Sequence, residues 1–202
     1  MALLKVARMG HPVLVRKADP LAKARLAKPA TQTLIDDMIE TMFEERGVGL
    51  AAPQVYESLR LFVMNPVGAE EKRETIVVVN PQLVFPEEET IELWEGCLSI
   101  PGIRGKTQRW SVVDVAYLDR KGNPKKRRFE GFAAAIIQHE TDHLNGIFFF
   151  ERMPDLKAIA FEDEYVRHHR GNDEDEEGDE DEEGAEQGEE VSRSQQLKVD
   201  RK

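Results

Sequence analysis

The sequence predicts an α+β fold in which mixed or antiparallel strands surround a central helix, with a further helix near the C-terminal end. Two observations carry this prediction. Between Leu59 and Phe129, short runs rich in β-branched and aromatic side chains alternate with proline and glycine clusters, a pattern typical of strands joined by turns. Stretches with helical periodicity flank this region on both sides.

The individual elements follow in chain order. Residues 1–30 are expected to form an extended arm with turns, because prolines and glycine interrupt them repeatedly. The first helix is predicted over Thr31–Arg46, since Thr31 suits an N-cap and Gly47 stands where helices commonly end. The predicted strands are Leu59–Met64, Ile76–Val79, Leu83–Phe85, Ile91–Trp94, Val112–Leu118 and Lys125–Phe129.

An alanine-rich stretch beginning near Phe132 predicts a second helix that ends at Asn145 and Gly146. Apolar residues lie on most of its sides, which is typical of a helix buried in the protein interior. This is the central helix of the predicted fold. A last helix is predicted over Asp155–His169, directly after Pro154.

The acidic residues are concentrated at the C-terminal end. The formal net charge is −11, and residues 173–202 account for −10 of it with 14 acidic and 4 basic residues. Such a segment cannot bury enough apolar surface to offset the entropy lost on ordering. We therefore expect a folded domain over residues 1–170 and an acidic, disordered tail over residues 171–202.

Several classes of protein are disfavoured by composition. Cys97 is the only cysteine, so an intrachain disulfide is excluded and a reducing compartment is favoured. The N-terminal residues lack a signal-peptide pattern, and no apolar run approaches the roughly 20 residues that span a bilayer. We expect a cytoplasmic protein that neither enters membranes nor reads nucleic-acid sequence.

The stretch Gln138–His143 carries the strongest chemical signal. His139 and His143 are four residues apart, so on a helix both imidazoles project from one face. Two neutral imidazoles in this arrangement bind one divalent metal, and Glu140 is placed to act as a base on water. The central helix is therefore predicted to bear a metal.

A catalytic metal of this kind needs a third protein ligand. Spacing allows Glu162 or Glu164 downstream, as in a metalloprotease, whereas His168 and His169 lie beside the acidic tail and are expected to be solvated. Cys97, upstream, is the other candidate. A third possibility, a non-enzymatic protein that works through its acidic tail, leaves these residues unexplained.

A glycine-containing segment, Gly47–Gln54, is the third informative feature. It lacks the lysine and the Ser or Thr that a phosphate-binding loop requires. Gln54 follows an otherwise apolar run, and a buried amide is costly unless it finds a hydrogen-bonding partner.

Taken in order, the segments Gly47–Gln54, Glu95–Ser99 and Gln138–His143 resemble the three motifs of the peptide deformylase family. The resemblance covers residues 3–168 and leaves the acidic tail outside. It implies a hydrolase that removes the formyl group from the N-terminal formylmethionine of newly synthesised polypeptides and releases formate. It also implies Fe(II), replaceable by zinc or another divalent metal, held by Cys97, His139 and His143.

The resemblance also implies roles for other residues. Glu140 would move a proton from water to the departing amine, while Gln54 and the backbone N–H of Leu98 would stabilise the oxyanion. The residues matching the methionine side-chain pocket are Val48, Gly49, Phe132, Ala135 and Ile136.

Two acidic residues beside the motifs have open roles. Asp142 is expected either to accept a hydrogen bond from a ligand imidazole or to hold a nearby turn. Glu95 is expected to pair with Arg104 or Arg109, or else to be exposed.

The expected partners are nascent formylated polypeptides and, transiently, the ribosome. An acidic tail should be repelled by RNA phosphates, so one hypothesis is that residues 171–202 weaken ribosome association or shield a basic face such as residues 125–128. The simpler interpretation is that the tail keeps the protein in solution and leaves the chemistry unchanged.

Overall fold

The computed structural model describes residues 2–66 and 75–170. The predicted acidic tail, residues 171–202, lies outside the described residues. The chain divides into two units, Met1–Ile159 and Ala160–Lys202. The helices are α1 (Lys23–Leu26), α2 (Pro29–Glu44), α3 (Gly131–Asn145) and α4 (Glu162–His168). The strands are β1 (Gly49–Ala51), β2 (Leu61–Met64), β3 (Ile76–Val84), β4 (Thr90–Cys97), β5 (Ile100–Trp110), β6 (Val112–Leu118), β7 (Pro124–Glu130) and β8 (Ile159–Phe161).

The strands of the first unit form antiparallel pairs, which confirms the predicted α+β class. One sheet has the order β1-β2-β3-β6-β7, with every neighbouring pair antiparallel. A second antiparallel pair, β4 and β5, is a long hairpin that turns at Leu98 and Ser99.

The five-stranded sheet lies between the two long helices. Successive residues of a strand point to opposite faces. On β2, Leu61 and Val63 belong to a buried cluster that also contains Ile35 of α2. Phe62 and Met64, on the opposite face of the strand, belong to a second buried cluster that includes residues of α3. Helix α3 also contacts β5 of the hairpin, so it is enclosed by strands from both groups.

Helix α2 begins and ends differently from the prediction over Thr31–Arg46. It begins at Pro29, whose fixed φ suits the first helical position, and Thr31 lies inside the helix with its hydroxyl donating to the Arg25 carbonyl at 2.8 Å. The left-handed residue that follows the helix is Arg46, with φ of 55°, and not Gly47.

Several other predicted elements need correction. The N-terminal arm contains a 3₁₀ helix at Pro12–Val15 as well as α1, so it is less extended than expected. The two strands predicted within 76–85 are one strand, β3, with a register shift between Val79 and Gln82. Strands β1 and β5 were not predicted, and the last helix is shorter than Asp155–His169 because residues 155–161 form turns and β8.

In the second unit, α4 is a short helix with acidic residues in its first turn and basic residues in its last. Both placements complement the helix dipole. Among residues 2–66 and 75–170, no helix combines the length and the apolar character needed to cross a bilayer.

Candidate metal centre

Helix α3 positions the predicted metal ligands, and its burial explains its composition. Its buried residues occupy several faces because sheet strands surround it, as the alanine-rich sequence predicted. The helix ends at Gly146, which has a left-handed φ of 75°. A Cβ on Gly146 would lie 2.7 Å from the backbone carbon of Val15, so the residue must remain glycine for two reasons.

Cys97 is brought to the two histidines by the hairpin. It is the last residue of β4, where the register with β5 shifts between Gly96 and Cys97. Its Sγ lies 3.2 Å from Nε2 of His143, and one ligand atom from each of Cys97, His139 and His143 lies within 4.8 Å of the others. Within the described parts of the chain, this is the one group of three or more such side chains with metal-binding spacing.

Of the downstream residues considered for a protease, Glu164 interacts within its own helix. In α4, Glu164 forms an ion pair with Arg167 at 2.5 Å, and its carboxylate lies 3.3 Å from Nε2 of His168. The group with metal-binding spacing therefore uses the upstream cysteine rather than a downstream carboxylate.

One thiolate and two imidazoles suit a tetrahedral metal with its fourth position open. Burial raises the pKa of Cys97, but the interactions with His143 and His139 outweigh burial and lower that pKa to about 5. Burial lowers the pKa of His139, and its hydrogen bonds to Cys97 and Glu95 raise it well above the usual value. The site thus favours the thiolate form of cysteine, which is the form that binds metals.

Glu140 is buried beside Cys97, His139 and His143. Its Oε2 has no hydrogen-bonding partner among the described residues. Burial raises the pKa of Glu140 to about 7, although the nearby His139 and His143 act in the opposite direction. A carboxyl group with a pKa near neutrality can both accept and release a proton under ordinary conditions.

The two glycines of Gly47–Gln54 make room for predicted site residues. A Cβ on Gly49 would lie 2.7 Å from the carboxyl carbon of Glu140, and one on Gly47 would lie 2.9 Å from Cδ1 of Leu98. Neither glycine has a left-handed φ. The two glycines are therefore explained by close approach across the fold, and not by a need for a left-handed backbone.

The buried Gln54 amide is held in one orientation. Its Oε1 accepts a hydrogen bond from the Ala51 N–H at 2.7 Å, so its Nε2 must point the other way. That nitrogen lies 3.3 Å from the Ser99 hydroxyl and 3.5 Å from the Cys97 sulfur. The NH₂ group of Gln54 is thus directed towards the Cys97 sulfur and the Ser99 hydroxyl.

A buried charge network lies behind His139. Oε2 of Glu95 lies 2.7 Å from Nδ1 of His139, and the Arg109 guanidinium donates to both Glu95 oxygens at 2.6 and 2.9 Å. Arg109, one of the two arginines considered as a partner of Glu95, therefore forms the ion pair with it. Burial raises the pKa of Glu95, but the hydrogen bonds from Arg109 and His139 outweigh it, so the pKa lies well below its usual value.

Asp142 accepts hydrogen bonds from arginines rather than from an imidazole. Arg109 donates to its Oδ2 at 2.6 Å, and Arg152 donates to Oδ2 and Oδ1 at 3.0 and 2.7 Å. Arg152 was not among the predicted residues. Its partner lies ten residues earlier across the turn at Gly146, and no local motif marks such a contact.

The residues matched to a methionine pocket have mixed exposure. Gly49, Ala135 and Ile136 are buried, and the half-buried Val48 packs against the cluster that contains Ile136. Phe132, near the start of α3, is 53% exposed. Their role in binding substrate stays a prediction.

The fold and the site are those of a metal-dependent hydrolase: a buried helix carries His-Glu-x-x-His, and a cysteine from a neighbouring hairpin lies within metal-binding distance of both histidines. The family model described as polypeptide deformylase matches residues 3–158. The chain belongs to this family. It is an enzyme that removes the formyl group from the N-terminal formylmethionine of newly synthesised polypeptides and releases formate.

Individual relatives agree with this assignment. Peptide deformylase 2 of Nostoc is 40% identical over 168 residues, covering 81% of this chain and 93% of that protein. Peptide deformylase of Thermus thermophilus is 44% identical over 164 residues, covering 75% and 83%. The actinonin-bound class I type b peptide deformylase of Acinetobacter baumannii is 40% identical, covers 76% of this chain and 99% of its own, and superimposes with a TM-score of 0.70.

Proposed function

We propose that Cys97, His139 and His143 hold the catalytic metal of this deformylase, and that the metal is Fe(II), replaceable by zinc or another divalent ion. The convergence of their three ligand atoms within 4.8 Å is the observation that carries the proposal. The donor set accommodates iron and zinc alike, and Fe(II) follows from the family resemblance. When bound, the metal lowers the pKa of a water molecule towards about 7 and so supplies a nucleophile near neutral pH.

Glu140 moves the proton. It accepts a proton as the water oxygen attacks the formyl carbon, and it delivers that proton to the nitrogen as the C–N bond breaks, which leaves formate and a free amine. Its burial and its pKa of about 7 support both halves of this role, because an efficient acid–base group has a pKa near the working pH. Gly49 supports it as well, since a larger residue would displace the Glu140 carboxylate.

Gln54 and the backbone N–H of Leu98 stabilise the oxyanion that develops on the formyl oxygen. The Ala51 N–H fixes the Gln54 amide so that its NH₂ group faces Cys97, which supports the assignment. A preorganised donor of this kind lowers a transition-state barrier by about 2.7–4 kcal/mol.

The methionine side chain of the substrate binds against Val48, Gly49, Phe132, Ala135 and Ile136. Four of these residues carry apolar side chains, and Gly49 has no side chain. Phe132 is exposed near the start of α3, and this exposure supports a pocket that opens to the surface.

The catalytic domain comprises residues 1–170, and residues 171–202 are an appendage outside the matched family region, 3–158. The enzyme acts in the cytoplasm on nascent chains and meets the ribosome transiently. Co-sedimentation with ribosomes at low salt, compared between the full chain and a chain ending at residue 172, tests this association. Absence of both from the ribosomal pellet would contradict the ribosome as a partner.

Formate release from formyl-Met-Ala-Ser tests the chemistry. The protein is purified without oxygen, its iron and zinc contents are measured, and formate is followed over time. We expect turnover that scales with iron content. Glu140→Ala should retain the metal and lose turnover, whereas Cys97→Ala should lose the metal itself. A Cys97→Ala protein that keeps its full metal content would contradict the ligand set.

A further inference from the structure

The segment that follows α3 folds back over both predicted histidine ligands. After the turn at Gly146, the Ile147 N–H donates to the Asp142 carbonyl at 3.0 Å and the chain enters a 3₁₀ helix, Phe149–Arg152. Phe148 meets the ring of His143 edge-on, with ring centroids 6.2 Å apart. This places the start of the segment Phe148–Arg152 against the ring of His143.

The next residue, Phe149, stacks on the other imidazole. Its ring lies 6.4 Å from that of His139 with an interplanar angle of 20°, and the side chain is buried. Strand β5 admits this ring only because residue 105 is glycine: a Cβ there would lie 2.7 Å from Cε2 of Phe149 and 2.6 Å from the Met153 sulfur. The contact between Phe149 and His139 therefore depends on the glycine at position 105.

Arg152 ends this segment and begins a continuous series of charge-assisted hydrogen bonds. It donates two bonds to Asp142, which also accepts from Arg109. Arg109 in turn binds both oxygens of Glu95, and Glu95 contacts Nδ1 of His139. Each link is 2.6–3.0 Å long.

With His139 neutral, as an imidazole that binds a metal is, the charges of this series balance only when Arg152 is included. Asp142 and Glu95 contribute two negative charges, and Arg109 alone contributes one positive charge among these buried groups. Arg152, whose side chain is 41% exposed, supplies the second positive charge from the surface side. Without it, a net negative charge would remain in a region that water reaches poorly.

We propose that Arg152 is a positioning residue for the metal site: by fixing Asp142, it holds Arg109 and Glu95 in place and so sets the orientation of the His139 ring. The inference rests on the proposed role of Cys97, His139 and His143 as metal ligands. A hydrogen bond from Nδ1 to Glu95 leaves Nε2 of His139 for the metal and fixes the ring plane. A planar guanidinium suits this task because its fork matches both carboxylate oxygens.

Loss of Co²⁺ from the loaded protein to excess chelator tests the proposal. The rate is measured without substrate from the visible absorption of the cobalt–thiolate site, for the parent, Arg152→Gln and Arg152→Lys. Arg128→Gln is the matched control, because Arg128 forms the same two-bond pair with Asp114 at an exposed site. Unfolding temperatures are measured in parallel.

We expect Arg152→Gln to release cobalt about tenfold faster than the parent, the lower end of the range for groups that orient metal ligands. Arg152→Lys should fall between the two, since it keeps the charge and loses the fork, and Arg128→Gln should match the parent. A lower unfolding temperature for Arg152→Gln with an unchanged rate of cobalt loss would overturn the proposal. Should Arg152→Gln not fold, a parent-like rate for Arg152→Lys would overturn it equally.

A parent protein that takes up no cobalt would be a different failure. It would contradict the ligand set of Cys97, His139 and His143, and the role of Arg152 would fall with it. The two failures are distinguishable because cobalt uptake by the parent is measured before any variant is compared.

Discussion

Two arginine–aspartate pairs of the same geometry lie in contrasting parts of the first unit. On β7, Arg128 donates two hydrogen bonds of 2.9 Å to Asp114, and the side chains are 49% and 42% exposed. Behind α3, Arg152 makes the same two-bond arrangement with Asp142, which is only 9% exposed and also binds Arg109. The first pair stands on a strand surface, whereas the second is linked to the metal site.

Two-bond geometry does not by itself determine what an ion pair contributes to the protein. Water and salt screen the pair on β7, so the pair contributes little to the stability of the fold. The buried network cannot exchange its partners for water, so each member constrains the next. The two pairs differ in burial and in their connection to His139, and not in the length of their hydrogen bonds.

Removal of the central arginine should give the largest effect. Arg109→Met leaves the carboxylates of Glu95 and Asp142 without their shared cation, and breaking a buried pair from one side costs about 3–5 kcal/mol. We expect the free energy of unfolding, measured with denaturant on the metal-free protein, to fall by that amount. Metal affinity should fall as well, because the carboxylate that orients His139 is no longer fixed.

A double variant separates lost pairing from lost packing. Arg109→Met combined with Glu95→Gln removes one of the two stranded charges, so it should recover part of the lost stability. If the single and double variants were equally unstable, the effect would come from packing and the electrostatic account would be wrong.

Thr107→Val should give the next largest effect. The fully buried Thr107 hydroxyl donates to Oε1 of Glu95 at 2.7 Å, and valine has nearly the same shape. A hydrogen bond to a charged group contributes about 1.5–3 kcal/mol, so the free energy of unfolding should fall by about that amount. Thr90→Val, at the exposed end of β4, is a suitable control and should change stability little. Equal losses in both variants would remove the distinction between the buried and exposed regions.

Gly105→Ala tests the packing of the network rather than its charge. The added methyl group would press on Phe149 and Met153, and overpacking a buried contact costs about 1–3 kcal/mol. Because Phe149 stacks on His139, the variant should also lower turnover of formyl-Met-Ala-Ser more than it raises KM. Full turnover in a destabilised Gly105→Ala protein would show that the Phe149 contact does not affect His139.

The helix and the ligand motif were predictable because their signals are local. The spacing of His139 and His143 and the alanine-rich stretch before them depend only on helical periodicity. Strand β5 was missed for a physical reason that concerns the site itself. Its inward residues include Gly105, Thr107 and Arg109, which accommodate Phe149 or bind Glu95. A strand whose buried positions serve a charged network has no apolar alternation to detect.

The glycine pattern and Arg152 illustrate a second limit. The sequence contains Gly47 and Gly49, but their neighbours Leu98 and Glu140 come from distant parts of the chain. The contact between Arg152 and Asp142 likewise depends on the direction in which the chain leaves Gly146. Residues that act through tertiary approach leave no periodic or spaced signal, so only the fold identifies them.

The smallest effect is expected on β7. Arg128→Gln removes a pair that faces water, although Asp114 holds the pKa of Arg128 above its usual value and Glu87 lies 3.9 Å away. The side-chain hydrogen bond to Asp114 is the main cause of that shift, and water readily replaces an exposed bond of this kind. We expect the unfolding temperature and the turnover of formyl-Met-Ala-Ser to match those of the parent at both about 20 mM and about 500 mM salt. Surface charge interactions are weakly screened at the lower concentration and strongly screened at the higher one. A clear loss of turnover would mean that an exposed two-bond pair on a remote strand also acts on the site, and the contrast with Arg152 would no longer hold.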